Sequence, residues 1–240
     1  MAWLAFDLKE IGFMGYPRPS RTLASLAILL GIAVSFASAQ SNTLIQPEVA
    51  KDQSPLQRFI LGESVGASLV TGNTSQTTTT GMSLIFSAGP RVSHRWAYPV
   101  DLILSFDGTP QPILQQEGQP NGGIDLLAFA LDPEFFLANG SRWEAYTTGG
   151  GGISFKRVVF MRPCSVCTNS YGNYATVASE SSWQPAVDAG VGGAYRIHPD
   201  GIFQIFQEAR YLYMFTPKGQ FPGFNTAGTG LVLLTFGFRL

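Results

Sequence analysis

The sequence predicts an all-β fold, an eight-stranded antiparallel transmembrane β-barrel behind a cleaved N-terminal signal peptide, and three observations predict it. Charged residues make up 13% of the 240-residue chain, about half the ~25% usual in soluble domains, so something other than charge covers the outside. Glycine (27 residues) and phenylalanine (18) are abundant, which suits strands that pack tightly inside and present apolar rings outside. From Gly62 onward, eight stretches of roughly ten residues alternate in polarity, the length of a tilted strand that crosses an outer membrane.

The N-terminus carries a processing signal. Leu23 to Phe36 (LASLAILLGIAVSF) is an apolar run that follows Arg18 and Arg21 and precedes Ala37-Ser38-Ala39, the A-x-A pattern of a secretory cleavage site. Residues 1–39 are therefore the expected signal peptide, and Gln40 the first mature residue. Asp7 and Glu10 are foreign to a basic leader, which makes Met14 an alternative start. The run is short of the ~20 residues of a spanning helix, and no later segment is long and apolar enough for one. A mature chain that enters a membrane must do so as strands. Residues 40–61, with Pro47 and Pro55, form a polar flexible segment, and 62–240 the barrel.

The expected strands lie near 62–71, 80–88, 97–106, 122–131, 142–157, 183–197, 201–215 and 228–240. The fourth (GGIDLLAFAL) is ambiguous between strand and helix; the later ones alternate cleanly. Trp143, Ala145, Thr147, Gly149, Gly151, Ile153 and Phe155 share one face, with Glu144, Tyr146, Thr148, Ser154 and Lys156 on the other. Val187, Ala189 and Val191 oppose Asp188 and Arg196. Phe203, Ile205, Ala209, Tyr211, Tyr213 and Phe215 oppose Gln204, Glu208 and Arg210. In the closing LVLLTFGFRL, Val232, Leu234, Phe236, Phe238 and Leu240 belong to the lipid face, and Thr235, Gly237 and Arg239 to the interior.

Connections alternate in length. Short turns are expected at Gly89-Pro90, Asp132-Pro133 and His198-Pro199-Asp200-Gly201. Longer outside loops are expected at TGNTSQTTTT, Asp107 to Asn121, Val158 to Ser182 and Pro217 to Asn225. The 132–141 connection (DPEFFLANGS) is long for a turn.

Glu144, Lys156, Asp188, Arg196, Glu208, Arg210 and Arg239 form the candidate interior charge network. An eight-stranded barrel is just wide enough for side chains to fill, and charges there must pair. Glu208 is expected beside Arg210 or Arg239, and Arg239 beside Glu208 or Asp188. A gated narrow pore lined by the same residues is the alternative. Cys164 and Cys167 (CSVC) have no second pair of ligands for zinc; in an exported chain a local disulfide is the expected state. No catalytic, cofactor-binding or metal site is expected. His94 and His198 are placed in periplasmic turns, away from the outer leaflet that a lipid-modifying enzyme would work on. Trp96, Tyr98, Trp143, Trp183, Tyr213 and Phe215 suit aromatic girdles at the membrane interfaces.

The segments WEAYTTGGGGISF, WQPAVDAGVGGAYRI, FQEARYLYMFTP and LLTFGFRL resemble the last four strands of small bacterial outer-membrane β-barrels of the OmpA-type barrel-domain class, over roughly residues 142–240. The resemblance implies an eight-stranded barrel in the bacterial outer membrane, without the peptidoglycan-binding domain that follows the barrel in full-length OmpA. It also likens the last strand to the signal read by the barrel-assembly machinery. That signal commonly ends in an aromatic residue, where Leu240 stands here. The expected partners are outer-membrane lipid and, during insertion, that machinery. A net charge of −1 leaves no basic footprint for nucleic acid. The expected function is structural or surface-interacting and non-catalytic, with three rivals: a narrow passive pore, a lipid-modifying barrel enzyme, and a soluble ligand-binding barrel of reversed polarity.

Overall fold

The computed structural model describes residues 59–164, 174–198, 202–216 and 228–240. The signal peptide expected at 1–39, nearly all of the 40–61 segment, Cys167, Pro199–Gly201 and the Pro217–Asn225 loop lie outside the described residues. The strands are β1 (Phe59–Thr71), β2 (Gly81–Pro90), β3 (Trp96–Ala97), β4 (Val100–Gly108), β5 (Asn121–Leu131), β6 (Glu134–Asn139), β7 (Trp143–Pro163), β8 (Tyr174–Arg196), β9 (Gln204–Met214) and β10 (Thr229–Arg239). A short α-helix, α1 (Gln111–Gln116), follows β4, and a 3-10 turn, Gly72–Gln76, follows β1.

Eight of these strands close a ring in the order β1-β2-β4-β5-β7-β8-β9-β10, and β10 pairs back to β1. Every neighbouring pair is antiparallel. Closure leaves no sheet edge around the barrel wall, the condition for burying backbone groups in hydrocarbon. The seam extends to the final residue: Leu61 N donates to Leu240 O at 3.3 Å, and Leu240 N to Leu61 O at 2.9 Å. We call the end carrying the β2–β3, β6–β7 and β8–β9 connections the turn end and the opposite one the loop end.

The outward surface has the polarity of a lipid-facing wall. Val65, Phe86, Val100, Phe129, Ile153, Val191, Tyr211 and Phe236, one from each barrel strand, are 42–59% exposed. Apolar exposure of that extent around a whole barrel belongs to a membrane protein. The charged residues alternate with them on the inner face, where Glu144, Asp188, Glu208, Arg210 and Arg239 are buried. This polarity is the reverse of what a soluble ligand-binding barrel needs, greasy inside and charged outside.

The connections differ from the expectation in four places. Gly89 and Pro90 lie within β2, so the turn begins at Arg91. The third strand is broken at Tyr98-Pro99 into β3 and β4, because Pro99 has no N–H to give the ladder. The long 132–141 connection contains a strand: β5 leaves β7 at Leu131–Gly151, the chain bends at Asp132-Pro133, and β6 resumes along β7 from Glu134–Thr148 to Asn139–Glu144. β3 then pairs with β6 and extends the wall at the turn end. Finally, most of the 158–182 loop is strand. β7 and β8, at 21 and 23 residues, pair as far as Pro163–Tyr174, while β9 stops opposite Ala186. The two run on as a ribbon beyond the β9 side of the wall, with Cys164 following directly after β7.

The interior is layered. Ile85, Ile103, Leu126, Ala128, Ala186, Leu212, Met214, Leu231 and Leu233, with Val70 against them, form one apolar cluster drawn from seven of the eight barrel strands. Nearer the loop end, Leu114 of α1 packs on Ile124, Val158 and Phe160. Nearer the turn end, Ile60, Ala97, Phe136 and Tyr146 form a third cluster. The charged residues of the candidate site, apart from Lys156, occupy the turn-end half.

Candidate functional site

Two linked ion-pair centres fill the turn-end half, one built on Glu144 and one on Arg210. Glu144 points inward from β7 because it follows the outward Trp143 in a strand of period two. Its Oε1 is 3.1 Å from Arg91 Nη1 and 3.1 Å from Arg196 Nη2, and its Oε2 is 2.7 Å from Arg239 Nη2. Arg239 also reaches Glu134 at 3.4 Å and donates from Nε to Gln204 at 2.7 Å. Aromatic faces complete the enclosure: the Arg91 guanidinium lies 4.0 Å from the Phe136 ring centre, and that of Arg239 lies 4.7 Å from Tyr146. Both are within cation–π range.

Arg210, on the inner face of β9, is surrounded by acids. Its Nη1 is 2.6 Å from Asp101 Oδ2 and 2.7 Å from Asp132 Oδ2, and its Nε donates to Glu208 Oε1 at 2.7 Å. Glu208 Oε2 accepts from Tyr146 Oη at 3.0 Å, which ties this centre to the one beneath. Asp188 faces the same group from β8. Three carboxyl groups thus pair with one guanidinium and Asp188 stands near them as a fourth, a formal surplus of acid. Among the described residues of the turn-end rim, Arg91, Arg95, Arg142, Arg196 and Arg239 outnumber the inward acids Glu134 and Glu144.

Of the residues singled out from the sequence, the geometry brings Glu144, Arg196 and Arg239 into one centre, and Glu208, Arg210 and Asp188 into the other. Glu208 and Arg210 meet as expected. Arg239 does not meet Glu208 or Asp188, because its register at the bottom of β10 places it beside Gln204 of β9 and within reach of Glu134 and Glu144. Lys156 is inward and buried but belongs to neither centre: it sits twelve positions up β7 from Glu144, ~40 Å by strand rise, opposite Ser182. Arg91, Asp101, Asp132 and Glu134 escaped the sequence reading. Asp101 alternates in phase with Ile103, Ser105 and Asp107, all inward, a usable signal. Asp132 and Glu134 stand on either side of the proline break and read as turn.

A smaller polar set lies toward the loop end, where Asp107 accepts hydrogen bonds from Ser68 and, at 2.7 Å, from Ser105. Thr74 and Thr229 hydroxyls meet at 2.8 Å above it. A void of about 10 Å³ lined by Ser64, Glu134, Tyr146, Glu208 and Arg239 has room for about one water.

His94 and His198 are exposed at the turn end. Ser93 Oγ is occupied within its own turn, accepting from the backbone N–H of Arg95 at 3.2 Å and of Trp96 at 3.0 Å. Among the described residues, no three metal-ligating side chains converge.

No protein-family model matches the chain, and no curated protein does. Among solved structures, Neisserial surface protein A is 14% identical, with a TM-score of 0.48 over 76% of this chain and 95% of that one. Ail of Yersinia pestis, solved with the heparin analogue sucrose octasulfate, is 15% identical, with a TM-score of 0.45 over 76% and 99%. The outer-membrane protein OprG from Pseudomonas aeruginosa is 12% identical, with a TM-score of 0.38 over 76% and 94%. The chain's own surface carries the membrane assignment: a closed antiparallel barrel, apolar outside and charged inside, is the architecture of the bacterial outer membrane.

Proposed function

We propose that this protein is a non-conducting, non-catalytic outer-membrane barrel of the OmpA-type class that acts as a structural element or presents a surface for interaction. The observation that supports this reading is the apolar layer. Ile103, Leu212, Met214, Leu231 and Leu233 are 0–1% exposed and stand across the bore between the ion-pair centres and the loop end. An ion that crossed this layer would meet close-packed apolar side chains, with only Ser68, Asp188 and Arg210 beside Leu233 and Leu212 in register, and would give up most of its hydration, which is costly. The β7–β8 ribbon, continued past the β9 side of the wall, is the part with the reach to meet a partner. We place its tip outside the cell and its two cysteines, Cys164 and Cys167, in a disulfide; intact mass before and after reduction tests the latter.

Fractionation tests the main reading. Extraction that requires detergent, with gel mobility that changes on boiling, supports the membrane barrel, and recovery in the soluble periplasm overturns it. In planar bilayers the purified barrel should give no discrete conductance steps. Reproducible steps would replace the plug by the narrow pore, and hydrolysis of or acyl transfer to lipid A would replace it by the enzyme.

A further inference from the structure

We infer that the turn-end rim along β3, β6, β7 and β8 binds the phosphate headgroups of anionic phospholipids in the leaflet at that end. The inference rests on the membrane reading above and adds a specific chemistry to one stretch of the rim. An Arg–Trp pair occurs twice there. Arg95-Trp96 enters β3 and Arg142-Trp143 enters β7, and in both cases the arginine stands one residue nearer the turn end. The tryptophans face outward, 42% and 49% exposed. Trp96 lies 4.9 Å from the Phe135 ring centre and 6.3 Å from that of Tyr98, and Trp143 lies 4.6 Å from that of Tyr195. Paired amphipathic rings at the edge of an apolar wall sit at headgroup depth. A side chain one residue further out is therefore level with the phosphates.

Among the described residues, the exposed charge along this stretch of the edge has one sign. Arg95 and Arg142 are exposed, with His94 and His198 beside them. The acids of the rim, Glu134 and Glu144, are 5% and 3% exposed and turned inward onto Arg239. Arg142 Nη1 is held 3.4 Å from Tyr195 Oη, over the Trp143–Tyr195 pair. Glu63 is exposed on the outward wall of β1, between Phe86 and Phe238 and across the barrel from β7. The stretch from β3 to β8 thus offers forked donors beside aromatic anchors, which suit the phosphodiester that all phospholipids carry, and its positive charge favours a headgroup of net negative charge over a zwitterion.

The test uses the folded full-length protein placed in bilayers of phosphatidylcholine, with or without phosphatidylglycerol, and then released for native mass spectrometry to count retained lipids. Phosphatidylglycerol should be retained preferentially. The R95Q/R142Q variant should lower that preference by roughly 25-fold at most, since one basic residue at a membrane surface is worth roughly fivefold. R95K/R142K should keep most of it. R162Q removes an exposed arginine at the loop end and should leave it unchanged. Equal retention of both lipids by the wild type, or a loss in R162Q as large as in R95Q/R142Q, overturns the inference. Gel mobility that still changes on boiling shows that the double variant has folded. A wild-type protein that enters neither bilayer overturns the membrane reading itself.

Discussion

Arg239 Nη2 lies 2.7 Å from Glu144 Oε2, joining positions 95 residues apart in the chain. Glu144 also holds Arg91 and Arg196, so one buried carboxylate bridges three guanidinium groups contributed by β10, the turn after β2, and β8. Removing it leaves Arg239, 4% exposed, with only Glu134 at 3.4 Å as an ionic partner. Breaking a buried pair from one side costs about 3–5 kcal/mol. Glu144→Leu should therefore lower stability by about that much, read as the urea midpoint in detergent or lipid vesicles. A midpoint within error of the wild type would remove Glu144 from its organising position.

Glu208→Leu should be milder. Arg210 loses the 2.7 Å partner at Nε and Tyr146 loses its acceptor, but Asp101 and Asp132 remain on Arg210. The substitution also relieves part of the surplus of acids around that guanidinium. A loss of about 1–3 kcal/mol is expected, and Glu208→Gln, which keeps an acceptor in place, should lose less. The predicted order of destabilisation in thermal melts is E144L, then E208L, then E208Q. A melt of E208L identical to the wild type would remove Glu208 from the plug.

Gly192 makes room for Tyr146. A Cβ at Gly192 would stand 2.2 Å from Tyr146 Cζ, and the Tyr146 side chain is 1% exposed beneath it. The ring cannot retreat without giving up Glu208 on one side and the Arg239 guanidinium on the other. Gly192→Ala should thus cost about 1–3 kcal/mol as an overpacked core position. Gly193→Ala, on the outer face with its nearest neighbour 3.8 Å away, should be close to neutral. Equal melting of the two variants would show that Tyr146 has another place to go.

Much of this arrangement was legible in the sequence, and the reason is periodicity. From Trp143 onward a period of two assigns Glu144, Asp188, Glu208, Arg210 and Arg239 to the interior without reference to any partner. Partners are a matter of register, which alternation does not carry. Arg239 is the case in point: its face was readable, and its pairing with Glu144 depends on where β10 stops against β9. Proline hid the rest. Asp132-Pro133 reads as a turn and Tyr98-Pro99 falls inside the expected 97–106 strand, yet each is a break within the wall from which a strand resumes, so Asp132 and Glu134 passed for loop residues. Gly89-Pro90 misplaced a turn by a few residues and concealed Arg91. The ribbon was missed because residues 174–182 (YATVASESS) are polar on both faces, as expected of a strand that leaves the membrane.

The terminal strand brings these constraints together. β10 pairs with β1 from Gly62–Arg239 to Thr71–Gly230 and with β9 from Gln204–Arg239 to Met214–Thr229. Deleting Phe236 to Leu240 removes four of the ten residue pairs with β1, four of the eleven with β9, and the Leu61–Leu240 hydrogen bonds that close the seam. It also removes Arg239, which leaves Glu134 without its 3.4 Å partner and Glu144 with two arginines in place of three. The outward Phe236 and Phe238, with the Phe203–Phe238 stack at 5.4 Å, go with it. The opened wall would expose unpaired backbone to hydrocarbon at several kcal/mol for each group, so the truncation should fail to assemble even though most of its sequence is intact. The measurement is the fraction of protein in the outer-membrane pellet with heat-modifiable gel mobility. A truncation that assembles like the full chain would show that the barrel closes without its last five residues. Substituting Arg239 alone by Leu should give an intermediate result, because the ladders and the aromatic face survive and only the ion-pair centre is lost.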